Sequence, residues 1–181
     1  MTPDHRGGVP AASQPILGEI TRHPLIGHCP AFFETLAIQP DLLLAAWEAY
    51  QRTLEQGTLH PLTKAFMGLV MAEGMGAPDF RGLQVTVLGR LGRPADQVEL
   101  QLRRLTPDLP DSRGGLLMEL ARAGTRPSEP ERLADLGRRL QMEGASDPEL
   151  AEAAFTIGAF HEIGTFACAM KALRDAGPVP A

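Results

Sequence analysis

Apolar residues recur at steps of three and four along most of the chain, which is the spacing of an amphipathic α-helix. The clearest segment begins at Pro40, a residue suited to the first helical position, and Gly57 is placed to end it. Its apolar stripe consists of Leu43, Leu44, Trp47, Tyr50 and Leu54. The next segment, from Pro61 to about Glu73, is apolar around much of its circumference, which predicts a central helix.

The remaining segments also predict helices. Residues 79–91 contain a strand-forming run at 85–87, but apolar residues at four-residue steps favour a helix there. No segment shows the strict alternation of a half-buried strand. Further helices are predicted over residues 30–37, 95–105, 115–123, 130–143 and 147–176, with a loop over residues 106–114. We therefore predict an all-α fold of about eight helices joined by short loops.

Composition divides the chain into two parts. Residues 1–24 begin with a stretch rich in Gly, Pro and Ala and are expected to form a loose arm, while residues 25–178 are expected to form a single helical domain. The first 15 residues have no apolar core, so they do not form a secretory signal, and no run reaches the roughly 20 apolar residues of a membrane span. We expect a cytoplasmic protein with no membrane partner and with reduced thiols.

Charge and cysteine content exclude several classes of protein. The 181 residues carry a formal net charge of −5 and only 5% are aromatic, so no nucleic-acid partner is predicted. Two cysteines, Cys29 and Cys168, are too few for a disulfide framework or a four-cysteine zinc site. A metal site would require the fold to gather His23, His28 and His60 with them, because no local ligand pair is present. We predict no metal and no cofactor.

The stretch from Pro40 to Leu100 carries an ordered set of motifs. A proline-led helix is followed by the run GTLHPLTK, an apolar helix, the short turn GMGAP and a helical segment that ends at Gly92. In order and spacing, over about 60 residues without a gap, this stretch resembles the alkylhydroperoxidase D / carboxymuconolactone decarboxylase superfamily. The last helix, AFTIGAFHEIGTFACAMKALRDAGPV, is similar to the closing helix of the peroxidase-related branch. The resemblance implies an alkylhydroperoxidase D-like helical domain that forms homo-oligomers.

The redox chemistry of that family rests on the pattern E-x11-C-x2-C-x3-H, from which this chain departs at all four positions. Aligned on Gly92, the Glu position is Ala65, the two Cys positions are Ala77 and Phe80, and the His position is Gln84. In the family, the cysteines supply a low-pKa thiolate and a resolving thiol, and the Glu and His relay protons. None of the four side chains found here can do this. The resemblance therefore implies the fold without thiol peroxidase activity.

Three other residues, His161, Cys168 and Glu73, are weak candidates for catalysis, each with an ordinary structural alternative. His161 and Cys168 share one face of the predicted last helix with Thr165, which fits either a Cys–His nucleophile or a face that packs on its neighbours. Glu73 ends a helix beside the substituted turn and would be a general base if buried, or a solvated carboxylate otherwise. Lys64 matches the helix-opening lysine of the family, and an ion-paired or surface lysine is the alternative.

Three hypotheses for function follow. The first is a non-redox, homo-oligomeric binding or scaffold protein, because all four redox positions are substituted. The second is a carboxymuconolactone decarboxylase-like enzyme that takes a small lactone or carboxylic acid, with His161, Glu73 or an arginine as acid, base or anion clamp. The third is an unrelated partner-binding helical bundle, which a structure without the helical hairpin at residues 61–92 would favour. The first two hypotheses include a small-molecule ligand.

Overall fold

Helices make up almost all of the described part of the chain. The computed structural model describes residues 9–104, 112–126 and 130–175, and these ranges contain no strand. After a 3-10 turn at Ala11–Ser13, the helices are α1 (Gln14–Arg22), α2 (Ala31–Leu36), α3 (Pro40–Glu55), α4 (Pro61–Met75), α5 (Pro78–Arg90), α6 (Ala95–Arg104), α7 (Arg113–Gly124), α8 (Pro130–Met142) and α9 (Asp147–Asp175). The predicted all-α fold is confirmed, with α1 in addition to the eight predicted helices. Of the loop predicted over residues 106–114, residues 106–111 lie outside the described part of the chain. Residues 113 and 114 belong to α7, which begins at Arg113.

The helix that the sequence predicts to be central, α4, lies at the centre of the structure. In α4 every residue from Lys64 to Ala72 is buried, because α3, α5, α7 and α9 all pack against it. Because this part of the helix has no solvent-exposed face, its sequence is apolar almost all the way round. The α4–α5 hairpin predicted over residues 61–92 is therefore present.

The predicted apolar stripe of α3 faces the same core. Leu43, Trp47, Tyr50 and Leu54 are each at most 1% exposed, whereas Leu44 is 41% exposed and lies outside the stripe. The Trp47 ring stacks on that of Tyr50 with centroids 6.3 Å apart. Most of the protein's few aromatic residues are thus concentrated where α2 and α3 meet α9.

The N-terminal segment differs from the loose arm expected over residues 1–24. Residues 1–8 lie outside the described part, but α1 forms over residues 14–22 and buries Ile20 completely. Trp47 Nε1 donates a hydrogen bond to Glu19 at 2.9 Å, and His23 Nε2 lies 2.7 Å from a Glu55 carboxylate oxygen. The expectation is wrong for this stretch, because a helical spacing of apolar residues outweighs the Gly- and Pro-rich composition around it. The packed part of the protein begins before residue 25.

The last helix is long and strongly apolar. Among the described residues, α9 is the one helix that is long and apolar enough to cross a membrane, over Asp147–Ala172. The sequence pattern did not predict this, because the apolar residues of the helix do not form an unbroken run. A third of the residues in its most apolar window are buried inside the protein, against helices that include α3, α4, α5 and α7. Phe155 is the large apolar side chain of α9 that is exposed among the described residues.

A buried ion pair joins α9 to the start of α4. The Lys64 side chain is 1% exposed, and its Nζ lies 2.5 Å from a Glu152 carboxylate oxygen while also donating to the Gln56 carbonyl. The other oxygen of Glu152 accepts hydrogen bonds from the Thr58 amide at 2.6 Å, the Thr58 hydroxyl at 2.8 Å and the Leu59 amide at 3.0 Å. One carboxylate therefore holds the α3–α4 loop and the first turn of α4 together.

These contacts determine the ionisation of Glu152. Burial alone would raise the pKa of the carboxyl, but the hydrogen bonds from Lys64, Leu59 and Thr58 outweigh it and lower the pKa to about 2. The pair consequently stabilises the fold fully above the ordinary pKa of about 4.5, and this stabilisation is lost as the pH falls towards 2.

We predict that Glu152→Gln lowers the free energy of unfolding by about 3 kcal/mol at pH 7, because it leaves the buried Lys64 charge without a partner. The loss of stability between pH 4.5 and pH 2 should also be shallower than in the wild type, because the group that titrates there is gone. Urea unfolding at a series of pH values measures both effects. Glu162→Gln, on an exposed position of the same helix, is the matched control and should change stability by less than about 0.5 kcal/mol. Equal effects of the two substitutions would contradict the prediction.

Candidate functional site

The four positions matched to the family's redox residues lie on α4 and at the start of α5. Gly76 ends α4 with a left-handed φ of 63°, and Ala77 is the residue that precedes α5. Ala77, Phe80 and Gln84 follow at a spacing that places them on one face of α5, and each is at most 1% exposed. Ala65 on α4 is also fully buried. The α4–α5 hairpin therefore places all four positions in the core of the protein.

The Phe80 ring occupies much of this region. Its centroid lies 5.5 Å from that of Phe160 on α9, with the ring planes at 66° to each other. A Cβ built at Gly164, one turn further along α9, would collide with the Met75 side chain and would lie 3.5 Å from the Phe80 Cδ1, an ordinary contact. The packing around Phe80 is therefore close and apolar.

Gln84 places a polar amide in the same core. Its Nε2 donates to the Tyr50 hydroxyl at 3.5 Å, and its Oε1 is buried with no hydrogen-bond partner among the described residues. Gly68 on α4 makes room for it, because a Cβ there would lie 2.7 Å from the Gln84 Cδ. Burial raises the pKa of Tyr50, so the phenol stays neutral. The amide and the phenol can bind each other, but neither can take up a proton near neutral pH.

Cys168 lies beside the turn that carries the matched positions, although it is remote from it in sequence. Its Sγ lies 3.7 Å from the carbonyl oxygens of both Met75 and Gly76, to which the thiol donates. This proximity could not be read from the sequence, because it depends on how α9 crosses the α4–α5 turn. Cys29 lies elsewhere, near the Pro30 carbonyl, and burial followed by the charge of Glu34 raises the pKa of its thiol to about 11. Both thiols are free.

His161 lines a cleft between helices, which we call the α7–α9 cleft. The cleft has a volume of about 480 Å³. His161 Nδ1 is buried and has no hydrogen-bond partner within the part of the chain that the structure describes. The other lining residues are apolar or glycine: Leu120, Gly124, Leu133, Gly137, Leu150, Ala154, Ile157 and Gly158. His161 therefore faces an apolar space rather than a second catalytic group.

Glu73 lines a different space, which we call the arginine cavity. It has a volume of about 380 Å³ and is lined by Arg122, Arg126 and Arg132 together with Glu73 and apolar side chains of α4, α6 and α7. Glu73 is exposed, and it accepts a hydrogen bond from Arg81, which also binds Glu99. The cavity thus combines a paired carboxylate with three guanidinium groups. Arg122 and Arg126 are four residues apart at the end of α7, but Arg132 lies on α8, so spacing in the sequence does not show that the three share a cavity.

The structure therefore does not assemble His161, Glu73 and Cys168 into one site. They lie respectively in the α7–α9 cleft, in the arginine cavity and against the α4–α5 turn. Within residues 9–104, 112–126 and 130–175, no group of three or more His, Cys, Asp or Glu residues is close enough to hold a metal ion. The proposed Cys–His nucleophile has no geometric support, because the two groups face different neighbours.

The fold is similar to solved structures of one enzyme. The apo form of the debrominase Bmp8 matches with a TM-score of 0.73 and 15% identity, over 89% of this chain and 84% of that one. A Bmp8 variant in complex with 2,3,4-tribromopyrrole matches with a TM-score of 0.72 and 16% identity, over 87% of this chain and 82% of that one. No family model and no curated protein matches the sequence.

At this level of identity the likeness shows a shared fold and not a shared activity. Bmp8 has the alkylhydroperoxidase D / carboxymuconolactone decarboxylase-like fold, so the structural comparison agrees with the fold that the sequence motifs implied. This chain adopts the same all-α arrangement.

Proposed function

We propose that this chain is a non-redox member of the alkylhydroperoxidase D / carboxymuconolactone decarboxylase superfamily that works as a homo-oligomeric binding or scaffold protein. The observation that carries the proposal is the filling of the matched positions, where Phe80 packs on Phe160 and Ala77 is buried without a thiol. Thiol peroxidase chemistry needs an attacking thiolate and a resolving thiol close together. The one cysteine near the turn, Cys168, donates to backbone carbonyls, and no second thiol lies there among the described residues.

The exposed apolar surface supports the homo-oligomeric part of the proposal. Ile38 and Leu42, one turn apart where α2 meets α3, are 62% and 57% exposed, and Phe155 on α9 is 57% exposed. Exposed large apolar side chains of this kind are typical of contacts between subunits.

We predict that the purified protein reduces an organic hydroperoxide, with dithiothreitol or dihydrolipoamide as electron donor, no faster than its Cys29→Ser/Cys168→Ser variant. The variant is the matched control because it keeps the fold and removes both thiols. Consumption of tert-butyl hydroperoxide is the measurement. A rate that falls on removing Cys168 alone would contradict the non-redox proposal, since it would show that this thiol reacts from beside the turn.

We predict that light scattering at micromolar concentration gives a particle mass of at least twice the 19.5 kDa of the chain. Leu42→Glu should lower that mass, because it places a charge on the exposed apolar surface of α3. Glu48→Gln, at an exposed polar position of the same helix, is the control and should leave the mass unchanged. A wild-type mass of one chain would contradict the homo-oligomer.

The arginine cavity supports a second candidate function, a carboxymuconolactone decarboxylase-like enzyme. Arg126 at the edge of this space of about 380 Å³ is suited to bind a carboxylate, Arg122 and Arg132 add positive charge beside it, and Glu73 supplies an acidic group at the same cavity. In this role Arg126 would bind the substrate carboxylate and Glu73 would move a proton. Such chemistry needs no thiol, so it is compatible with the filled redox positions.

If this second function is correct, the protein decarboxylates 4-carboxymuconolactone, and Arg126→Ala and Glu73→Gln each lower kcat/KM at least about tenfold, by removing an anion-binding or proton-transfer group. Arg93→Ala, at an exposed position away from the cavity lining, is the matched control. Release of carbon dioxide is the measurement. Turnover that survives both substitutions would exclude the arginine cavity as the active site.

A further inference from the structure

Helix α3 carries a second apolar stripe besides the one that faces the core. Leu42, Ala45 and Ala49 follow one another at steps of three and four residues, which is the spacing of residues that meet a neighbouring helix. Leu42 is 57% exposed and Ala45 is also exposed, so the described part of the chain leaves this stripe open. The outer side of a surface helix is ordinarily polar, and an apolar one is typical of a contact with another molecule.

Two exposed residues of opposite charge border this stripe at its two ends. Asp41 lies in the first turn of α3 and Arg52 in its last turn, eleven residues further on. They are therefore within about 20° of each other around the helix axis and about 16 Å apart along it. Neither side chain forms an ion pair with another residue of the described ranges. Both charges are thus available to a second molecule.

A second copy of the chain has the matching pattern. If α3 of two copies packs antiparallel, a twofold axis close to Ala45 and Ala49 brings Asp41 of each copy opposite Arg52 of the other. The alanines let the two helices approach closely, and Leu42 packs on the aliphatic part of the facing arginine. Antiparallel helices also bring helix ends of opposite partial charge together. A parallel pair would instead place like charges side by side.

Glu48 makes a like-charged contact in this geometry. It is exposed on the same side of α3, between Asp41 and Arg52, and it lies close enough to the twofold axis to face Glu48 of the partner subunit. The two Asp–Arg pairs outweigh this contact. Glu48 therefore provides a test of the geometry, because removing its charge should tighten the association and not weaken it.

We propose that two copies of the chain pack through antiparallel α3 helices, in a twofold dimer in which Asp41 of each copy pairs with Arg52 of the partner subunit and Leu42 is buried between them. This assignment rests on the homo-oligomeric role proposed above and specifies which face of the chain assembles. It depends on neither the arginine cavity nor the α7–α9 cleft, and it involves no covalent step.

Charge-swap variants test the pairing. Asp41→Arg and Arg52→Asp each create two like-charged contacts across the axis, so each should raise the dimer dissociation constant at least about tenfold. The double variant Asp41→Arg/Arg52→Asp restores opposite charges at both contacts and should return the constant to within about threefold of the wild type. Sedimentation equilibrium at low ionic strength is the measurement, because salt screens exposed pairs. Thermal unfolding of each variant shows that it is folded.

Matched controls separate the pairing from a change in net charge. Arg93→Asp and Asp96→Arg alter the net charge by the same amounts at exposed positions away from α3, and neither should change the dissociation constant. Glu48→Gln should lower the constant about twofold, because it removes a like-charged contact near the axis. Its particle mass at micromolar concentration stays that of the wild type.

Three results would overturn the proposal. One is a dissociation constant that both single charge variants leave unchanged, and another is a double variant that associates no more tightly than either single variant. The third is a wild-type chain that remains monomeric, which would contradict the homo-oligomeric role as well. In the first two cases an oligomeric wild type would leave that role standing and assign it to another face of the chain, so the two failures are distinguishable.

Discussion

The ion pair between Lys64 and Glu152 constrains the rest of the structure. An ammonium group buried at the start of the central helix would cost several kcal/mol without an anionic partner, so α9 must cross α4 where Glu152 can reach it. The same carboxylate binds the Thr58 and Leu59 amides, which sets where the α3–α4 loop ends. Gly57 is needed in that loop, because its φ is 106° and a Cβ there would collide with Glu152.

The position of Glu152 then sets what lies further along α9. About two turns on, Phe160 meets Phe80 and Tyr50, and about four turns on, Cys168 meets the α4–α5 turn. The helix therefore places an aromatic ring against Phe80 and Tyr50, and a thiol that donates to backbone carbonyls at the turn before Ala77. The contact between Phe160 and Phe80 thus depends on where the Lys64–Glu152 ion pair anchors α9. This dependence supports the proposal that the chain keeps the fold without thiol chemistry.

Sequence patterns predicted the helices better than they predicted how those helices pack against one another. Helical spacing located α2 to α9 and the burial of α4, because periodicity reports directly which face of a helix is apolar. It missed α1, whose Ile20 comes soon after a stretch rich in Gly, Pro and Ala. The locations of His161, Glu73 and Cys168 could not be predicted, because they depend on how helices cross. The arginine cavity was missed for the same reason: Arg122 and Arg132 belong to different helices, and no local motif joins them.

The exposed apolar surface of α9 bears on the proposed assembly. Contacts within the chain bury a third of the residues in its most apolar window, and Phe155 is the large apolar side chain of this helix that is exposed among the described residues. Phe155 and His161 are six residues apart, which places them about 120° from each other around the helix axis. His161 therefore lies on a different side of the helix from Phe155, whereas Gly158, which also lines the α7–α9 cleft, is three residues from Phe155 and is its neighbour on the helix surface. The surface that supports assembly thus adjoins the cleft along α9.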